Sequence, residues 1–178
     1  MSRLREGLRS DDHVAGPRSA PVILVEYGDY ECPYCGRAFG EVKQLQRALG
    51  DRLCFVFRNF PITQLHPHAM AAAEAAESAG AQGRFWEMHD LLYVHQQALD
   101  TPSLLLYARE LELDLRGFER DLVAHTFAER IRHDFMTGVR SGVNGTPTFF
   151  INGERHDGAS SFEALLAAVQ ERQAAYGA

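Results

Sequence analysis

Val25-Glu26-Tyr27-Gly28-Asp29-Tyr30-Glu31-Cys32-Pro33-Tyr34-Cys35 spans the point where the chain changes from one backbone habit to another. Just upstream, Val22-Ile23-Leu24-Val25 is apolar at every position and rich in β-branched residues. A short run of that kind reads as a strand buried on both faces, and Gly28-Asp29 closes it. Downstream, Pro33 suits the first turn of a helix, where its missing N–H is not needed. Phe39, Val42, Leu45 and Leu49 then recur at near-helical spacing up to Gly50, a C-cap residue. Cys32 therefore falls at a strand-to-helix junction. Leu53 to Phe57 reads as a second strand, so the stretch forms a βαβ unit with a right-handed crossover.

The character changes after Pro61. Up to about Val139 the residues carry helical periodicity and no convincing strand. Ala69 to Ala76 is a strong helix former ended by Gly80 to Gly83. Phe85, Met88, His89 and Leu92 mark a second helical face. A third helix starts at Leu104, capped by Thr101 or Ser103, and Leu115–Val123 and Phe127–Val139 read as two more. Strands resume at Pro147-Thr148-Phe149-Phe150-Ile151. Asn152-Gly153, followed by Glu154-Arg155-His156, signals a type I′ hairpin turn with positive φ at both central positions. Ser160 and Ser161 can cap a last amphipathic helix carrying Phe162, Leu165, Leu166 and Val169. The expected architecture is α/β. Residues 1–20 form a polar N-terminal lead-in with a loose end, 21–61 and 140–178 together make the α/β domain, and 62–139 is an all-helical insertion.

Composition narrows the function. The chain has 178 residues, of which 46% are hydrophobic and 24% charged, close to ordinary globular usage. That excludes disorder and fibrous structure, and the apolar runs are too short to span a bilayer. With 18 Lys+Arg against 24 Asp+Glu the formal net charge is −6, the wrong sign for a nucleic-acid binder. Basic residues open the sequence, but no apolar h-region follows, so a signal peptide is not expected and the expected location is cytoplasmic.

Three cysteines, an odd number, do not suggest a structural disulfide framework. Cys32 and Cys35 form Cys-Pro-Tyr-Cys, a spacing used by metal half-sites and by redox pairs. A helix N-terminus leaves N–H groups without partners and carries partial positive charge. A thiolate at Cys32 is stabilised there, with its pKa below the free value of about 8.5. Cys35, three residues on, lies on the same side of the first turn. Cys32 is then an exposed nucleophile and Cys35 the resolving thiol, with exchange passing through a mixed disulfide on Cys32. The rival reading is a zinc-binding or redox-sensing interaction module. Zinc needs four ligands. The remaining candidates are Cys54, alone in a predicted strand and read as a small buried hydrophobe, and the His66/His68 pair.

Residues 25–35 together with Gly-Thr-Pro-Thr-Phe-Phe-Ile-Asn-Gly (145–153) resemble the DsbA-like branch of the thioredoxin superfamily. The similarity is greatest to signal-less bacterial members, which also occur as thioredoxin-like domains fused to sodium/proton antiporters. Asp-His-Val-Ala-Gly-Pro (12–17) and Phe-Arg-Asn-Phe-Pro (57–61) fit the same group. The resemblance covers nearly the whole chain. It implies a thioredoxin fold, β-α-β then β-β-α, with the helical insertion between the two halves, and dithiol–disulfide exchange catalysed by a protein-disulfide oxidoreductase.

It also implies roles for named residues. Pro147 matches the family's cis-proline beside the CxxC. On sequence grounds alone a cis bond is improbable, at about 5–6% of X–Pro bonds. Thr146 and Pro147 would pair with extended substrate by strand addition, and the proline would block metal capture by the thiols. Glu26 matches the superfamily's buried acid. Independently, it continues the strand face of Val22 and Leu24. Desolvation would raise its pKa and let it exchange a proton with Cys35. Pro33 and Tyr34 contribute to substrate contact, and Tyr34 also tunes the potential. Strongly oxidising periplasmic members have His at that position, whereas Tyr34 brings no charge. Superfamily potentials span about −270 to −120 mV, and an intermediate value is expected.

No metal or organic cofactor is expected, because the electrons are held in the Cys32–Cys35 bond. The expected partners are cysteine-containing proteins or low-molecular-weight thiols, and a reducing or oxidising redox partner. In a reducing compartment the pair should rest reduced, which favours a reductase role. A glutathione-linked enzyme of the kappa transferase/isomerase kind has a similar fold, but such enzymes lack a second cysteine, and Cys35 argues against that reading. Asp29 and Glu31 flank the motif, where their charge would weaken the thiolate or guide partners.

Overall fold

The computed structural model describes residues 2–176, with side chains to residue 172. Met1 of the expected lead-in and residues 177–178 of the expected second half lie outside the described residues. In chain order the elements are β1 (His13–Ala15), β2 (Val22–Gly28), α1 (Pro33–Leu49), β3 (Leu53–Asn59), α2 (Ala69–Ala81), α3 (Phe85–Val94), α4 (Thr101–Glu110), α5 (Leu115–Ala124), α6 (Ala128–Arg140), β4 (Thr148–Ile151), β5 (Glu154–His156) and α7 (Phe162–Tyr176). This is a thioredoxin-type α/β fold. Five helices stand between β3 and β4, and no strand occurs in that interval among the described residues.

The sheet order is β1-β3-β2-β4-β5. β2 and β3 run parallel, with Leu24 opposite Phe55 and Glu26 opposite Phe57. β4 lies antiparallel on the other side of β2, with Glu26 opposite Phe149. Central β2 is apolar at consecutive positions because both its faces are covered. Val22 and Leu24 pack against α1, α7 and the insertion, whereas Val25 and Tyr27 pack against α6 and the N-terminal segment. At the β4–β5 turn Asn152 and Gly153 have φ of 49° and 83°, the type I′ geometry.

Two local readings differ from the structure. The N-cap of α4 is Asp100, one residue before the expected candidates; its carboxylate accepts the Ser103 N–H at 3.0 Å. Asp and Ser are near-equal capping residues, so periodicity does not choose between them. Residues 3–18 are also not loose. Arg3 bridges Glu154 on β5, Leu4 and Leu8 join the apolar layer under the sheet, and β1 pairs antiparallel with β3. The segment thus crosses one face of the sheet from edge to edge. Arg58, fully buried on β3, fastens it by donating to both Asp12 carboxylate oxygens at 2.9 and 2.8 Å and to the carbonyls of Glu6 and Gly7 at 2.9 and 2.6 Å. Local pattern gives no sign of this, because a few polar residues with no periodicity read as coil.

Candidate active site

β2 ends at Gly28 and the chain turns into α1 through a short loop. The Cys32 N–H donates to the Asp29 carbonyl at 3.2 Å, so Cys32 takes the N-cap position with extended backbone and Pro33 opens the first turn. Cys32 and Cys35 are 3.8 Å apart, and both are free thiols.

The two sulfurs differ in environment. Cys32 is lowered to a pKa of about 5, first because Cys35 donates a hydrogen bond to it, and then through the backbone N–H groups of Cys35 and Tyr34. These are the unpartnered donors of the helix N-terminus. Cys35 is wholly buried, and that burial, its bond to Cys32 and the nearby Glu26 hold its thiol well above the ordinary range. The expectation of an exposed Cys32 needs correcting: the residue is only 4% exposed. The loop before β4 covers it, and the Thr146 carbonyl lies 3.4 Å from its sulfur.

The other expected site residues are near these thiols or lead away from them. The Thr146–Pro147 bond is cis. Tyr34 is 64% exposed, with the Arg37 guanidinium 4.5 Å above its ring. Tyr34, Arg37, Thr146 and Pro147 line an open cleft of about 490 Å³. On the far side of the motif Pro33, Glu31, His68 and Gln96 line a second cleft of about 450 Å³.

Glu26 is 2% exposed, between Phe57 and Phe149 on the neighbouring strands. Burial, with a smaller contribution from charge on Cys32, raises its carboxyl to about 8, and its Oε1 has no hydrogen-bond partner. Cys54 is fully buried in the opposite apolar layer, away from the pair. Asp29 and Glu31 do not present free charge to the thiols. The Asp29 carboxylate accepts from the Ile62 N–H and pairs with His66 at 2.8 Å, and Glu31 pairs with His68 at 2.9 Å. Among the described residues no three His, Cys, Asp or Glu side chains are grouped as a metal site.

Three residues important to this geometry were not expected from sequence. Gln96, between α3 and α4, donates from Nε2 to the carbonyls of Tyr30 and Cys32 at 2.7 and 2.9 Å. Tyr93 on α3 packs on Tyr30 and Phe39 with its hydroxyl turned into the core. The third is Arg37. A helix-spacing signal at i, i+3 was available for Arg37; nothing local signals the other two, because they reach the motif across the insertion.

A family described as Thioredoxin matches residues 9–171. A thioredoxin-like oxidoreductase from Silicibacter pomeroyi DSS-3 superposes with a TM-score of 0.82 at 31% identity, covering 93% of this chain and 94% of that one. BdbD from Bacillus subtilis superposes with a TM-score of 0.80 at 23% identity, covering 89% and 90%, and supports the fold alone. In sequence, the Na(+)/H(+) antiporter NhaA 1 of Salinispora arenicola is 53% identical over 158 residues, 89% of this chain and 24% of the antiporter. The chain thus spans about a quarter of the length of the curated relatives it matches. No helix among the described residues is long and apolar enough to cross a membrane.

Proposed function

The chain belongs to the thioredoxin family, and from that membership and the site geometry we propose that it is a DsbA-like thiol–disulfide oxidoreductase working through Cys32 and Cys35. The observation that carries this reading is the pair of thiols 3.8 Å apart at the N-terminus of α1, one acidic and the other held protonated. Cys32 attacks one sulfur of a substrate disulfide; the substrate's S–S bond breaks and its other sulfur leaves as a thiolate. Cys35 then gives its proton to Glu26 and attacks the Cys32 sulfur. The Cys32–Cys35 bond forms and the second substrate sulfur leaves. The substrate gains two electrons and the cysteine pair loses them.

The coupling to Glu26 is timed by charge. While Cys32 is a thiolate, its charge adds to burial in keeping Glu26 protonated. In the mixed disulfide that charge is gone, so Glu26 ionises more readily and accepts the Cys35 proton. Thr146 and Pro147 line the cleft in which an extended substrate would lie, with Tyr34 on the same cleft, while Pro33 would meet substrate from the cleft on the far side of the motif. The electron pair resides in the cysteine couple, and the reading invokes no metal or organic cofactor. We further propose that substrates are cysteine-containing proteins or small thiols, that the setting is a reducing cytoplasm, and that the working direction there is reduction.

Reduction of insulin disulfides tests the proposal. Wild type should turn over, whereas Cys32→Ser should be inactive and Cys35→Ser should stall as a mixed disulfide. Equal activity of Cys35→Ser and wild type would overturn the dithiol mechanism. The reduction potential of the pair then settles the direction, and a value near the oxidising end of the family range, about −120 mV, would overturn the reductase assignment.

A further inference from the structure

Among the described residues three buried polar atoms around the thiols have no hydrogen-bond partner: Thr146 Oγ1 in the loop before β4, and Glu26 Oε1 and Tyr93 Oη on the core side. Such groups are uncommon in folded proteins and call for an explanation. The last two are related in position. Glu26 and Gly28 are two apart on β2 and share a face of the sheet. A Cβ added to Gly28 would lie 2.4 Å from the edge of the Phe57 ring and 3.0 Å from Tyr93 Oη. The edge of Phe57 fills the side-chain position next to Glu26 in the same row and the Tyr93 hydroxyl borders it, so a glycine at 28 leaves room for both. The Tyr93 ring is held there from several sides, stacked on Phe39 at 5.1 Å and tilted against Tyr30 at 5.0 Å.

We propose that Tyr93 is a positioning residue for the second exchange step, its hydroxyl donating to the negative charge that passes between Glu26 and Cys35. This rests on the dithiol reading and adds to it a residue from the insertion. In the step concerned the Cys35 proton moves to a Glu26 carboxylate oxygen, the Cys35–Cys32 bond forms, and the bond from Cys32 to the substrate sulfur breaks. Substrate sulfur departs with the electron pair and takes a proton from solvent. Tyr93 exchanges no proton. Burial holds its hydroxyl well above the ordinary range, and Cys35 and Glu26 are the strongest charges acting on it. It therefore stays a neutral donor throughout. The other titratable groups facing this site are Cys32, Asp29 and Tyr30 around the motif and His89 on α3, whose ring lies 5.0 Å from that of Tyr93. Burial keeps His89 neutral, and Asp29 is paired with His66.

Tyr93→Phe keeps the ring and removes only the donor. Reduced protein is mixed with excess oxidised glutathione, and the concentration-independent second step is followed by stopped-flow fluorescence from pH 5 to 9. Losing a donor to an anion raises the pKa of that anion, so the profile should move to higher pH by about one unit, a roughly tenfold slower step on its rising limb. Labelling of Cys32 should not change. The melting temperature should hold or rise, since an unsatisfied buried hydroxyl has been removed. A variant that is stabilised but whose pH profile superimposes on wild type would overturn the inference and leave the dithiol reading intact. A wild-type protein that shows no second step would overturn both.

Discussion

Gln96 and Cys32 are joined directly: the Gln96 carboxamide donates to the Cys32 carbonyl at 2.9 Å and to the Tyr30 carbonyl at 2.7 Å. The helical insertion therefore holds the backbone of the nucleophile, while the loop before β4 covers its sulfur. The same carboxamide sits where a Cβ on Gly36 would be.

Gly36→Ala and Gln96→Ala should consequently be strongly non-additive. In the wild-type background the added methyl displaces Gln96, and losing its hydrogen bonds lowers stability by about 1 kcal/mol net. In a Gln96→Ala background the same change should raise stability by about 1 kcal/mol, the ordinary gain of replacing a helical glycine with alanine. Urea unfolding of the four proteins measures the cycle; additive effects would refute the coupling.

The acidity of Cys32 sets its labelling profile. Its rate of reaction with iodoacetamide should be half-maximal near pH 5 and level above about pH 6, whereas an ordinary thiol is only about 3% ionised at pH 7. The hydrogen bond from Cys35 is the largest cause of the shift. Cys35→Ala should therefore move the midpoint upward and Cys35→Ser should move it less, because the hydroxyl still donates.

Glu26 has the opposite linkage. Its folded-state pKa is raised to about 8 from an ordinary 4.5. The folded protein thus favours the neutral acid, and the group costs stability increasingly as pH rises from 4.5 to about 8. Glu26→Gln should stabilise the protein by up to about 3 kcal/mol at pH 7, leave it unchanged at pH 4, and slow disulfide turnover. Thermal unfolding at both pH values, with an insulin assay, tests the sign. A variant less stable than wild type at pH 7 contradicts the burial argument.

Arg58 and Asp12 form an ion pair with no solvent exposure on either side chain. Arg58→Met leaves the Asp12 carboxylate buried with the Arg9 guanidinium and backbone N–H still beside it but without its fully buried partner, and should cost about 3–5 kcal/mol in denaturant unfolding. Asp12 is also tied to acid stability. Burial would raise its pKa, but Arg58 outweighs burial and lowers it. Its stabilisation is complete above the ordinary carboxylate range and should fade as pH falls through the depressed value. In Arg58→Met that part of the acid transition should start at higher pH.

Much of the architecture can be read from local pattern. The consecutive apolar residues of β2, the Pro33 entry to α1 and the Asn152-Gly153 turn each impose a distinct periodicity or φ requirement, and all appear where the sequence predicts them. The proximity of Cys32 and Cys35 follows from one helical turn. Glu26 was placed by strand alternation, although its burial depends on Phe57 and Phe149, which come from two other strands. Contacts made across long sequence separations leave no such trace. Gln96 reaches Cys32 over 64 residues, and Arg58 reaches Asp12 over 46. The cover over Cys32 comes from Thr146, so a surface position inferred from the helix terminus becomes an enclosed one.

The N-terminal segment, bound at β5 through Arg3 and at β3 through β1, has a mechanical meaning. One piece of chain ties both margins of the sheet, like a belt around a barrel. A pull on the amino end would load the Arg3–Glu154 bridge and then the Arg58 clasp before it reached β2. In a polypeptide that carries this unit as a quarter of its length, as the antiporter relatives do, tugging from a neighbour would spend itself on the belt and leave the cysteine pair undisturbed.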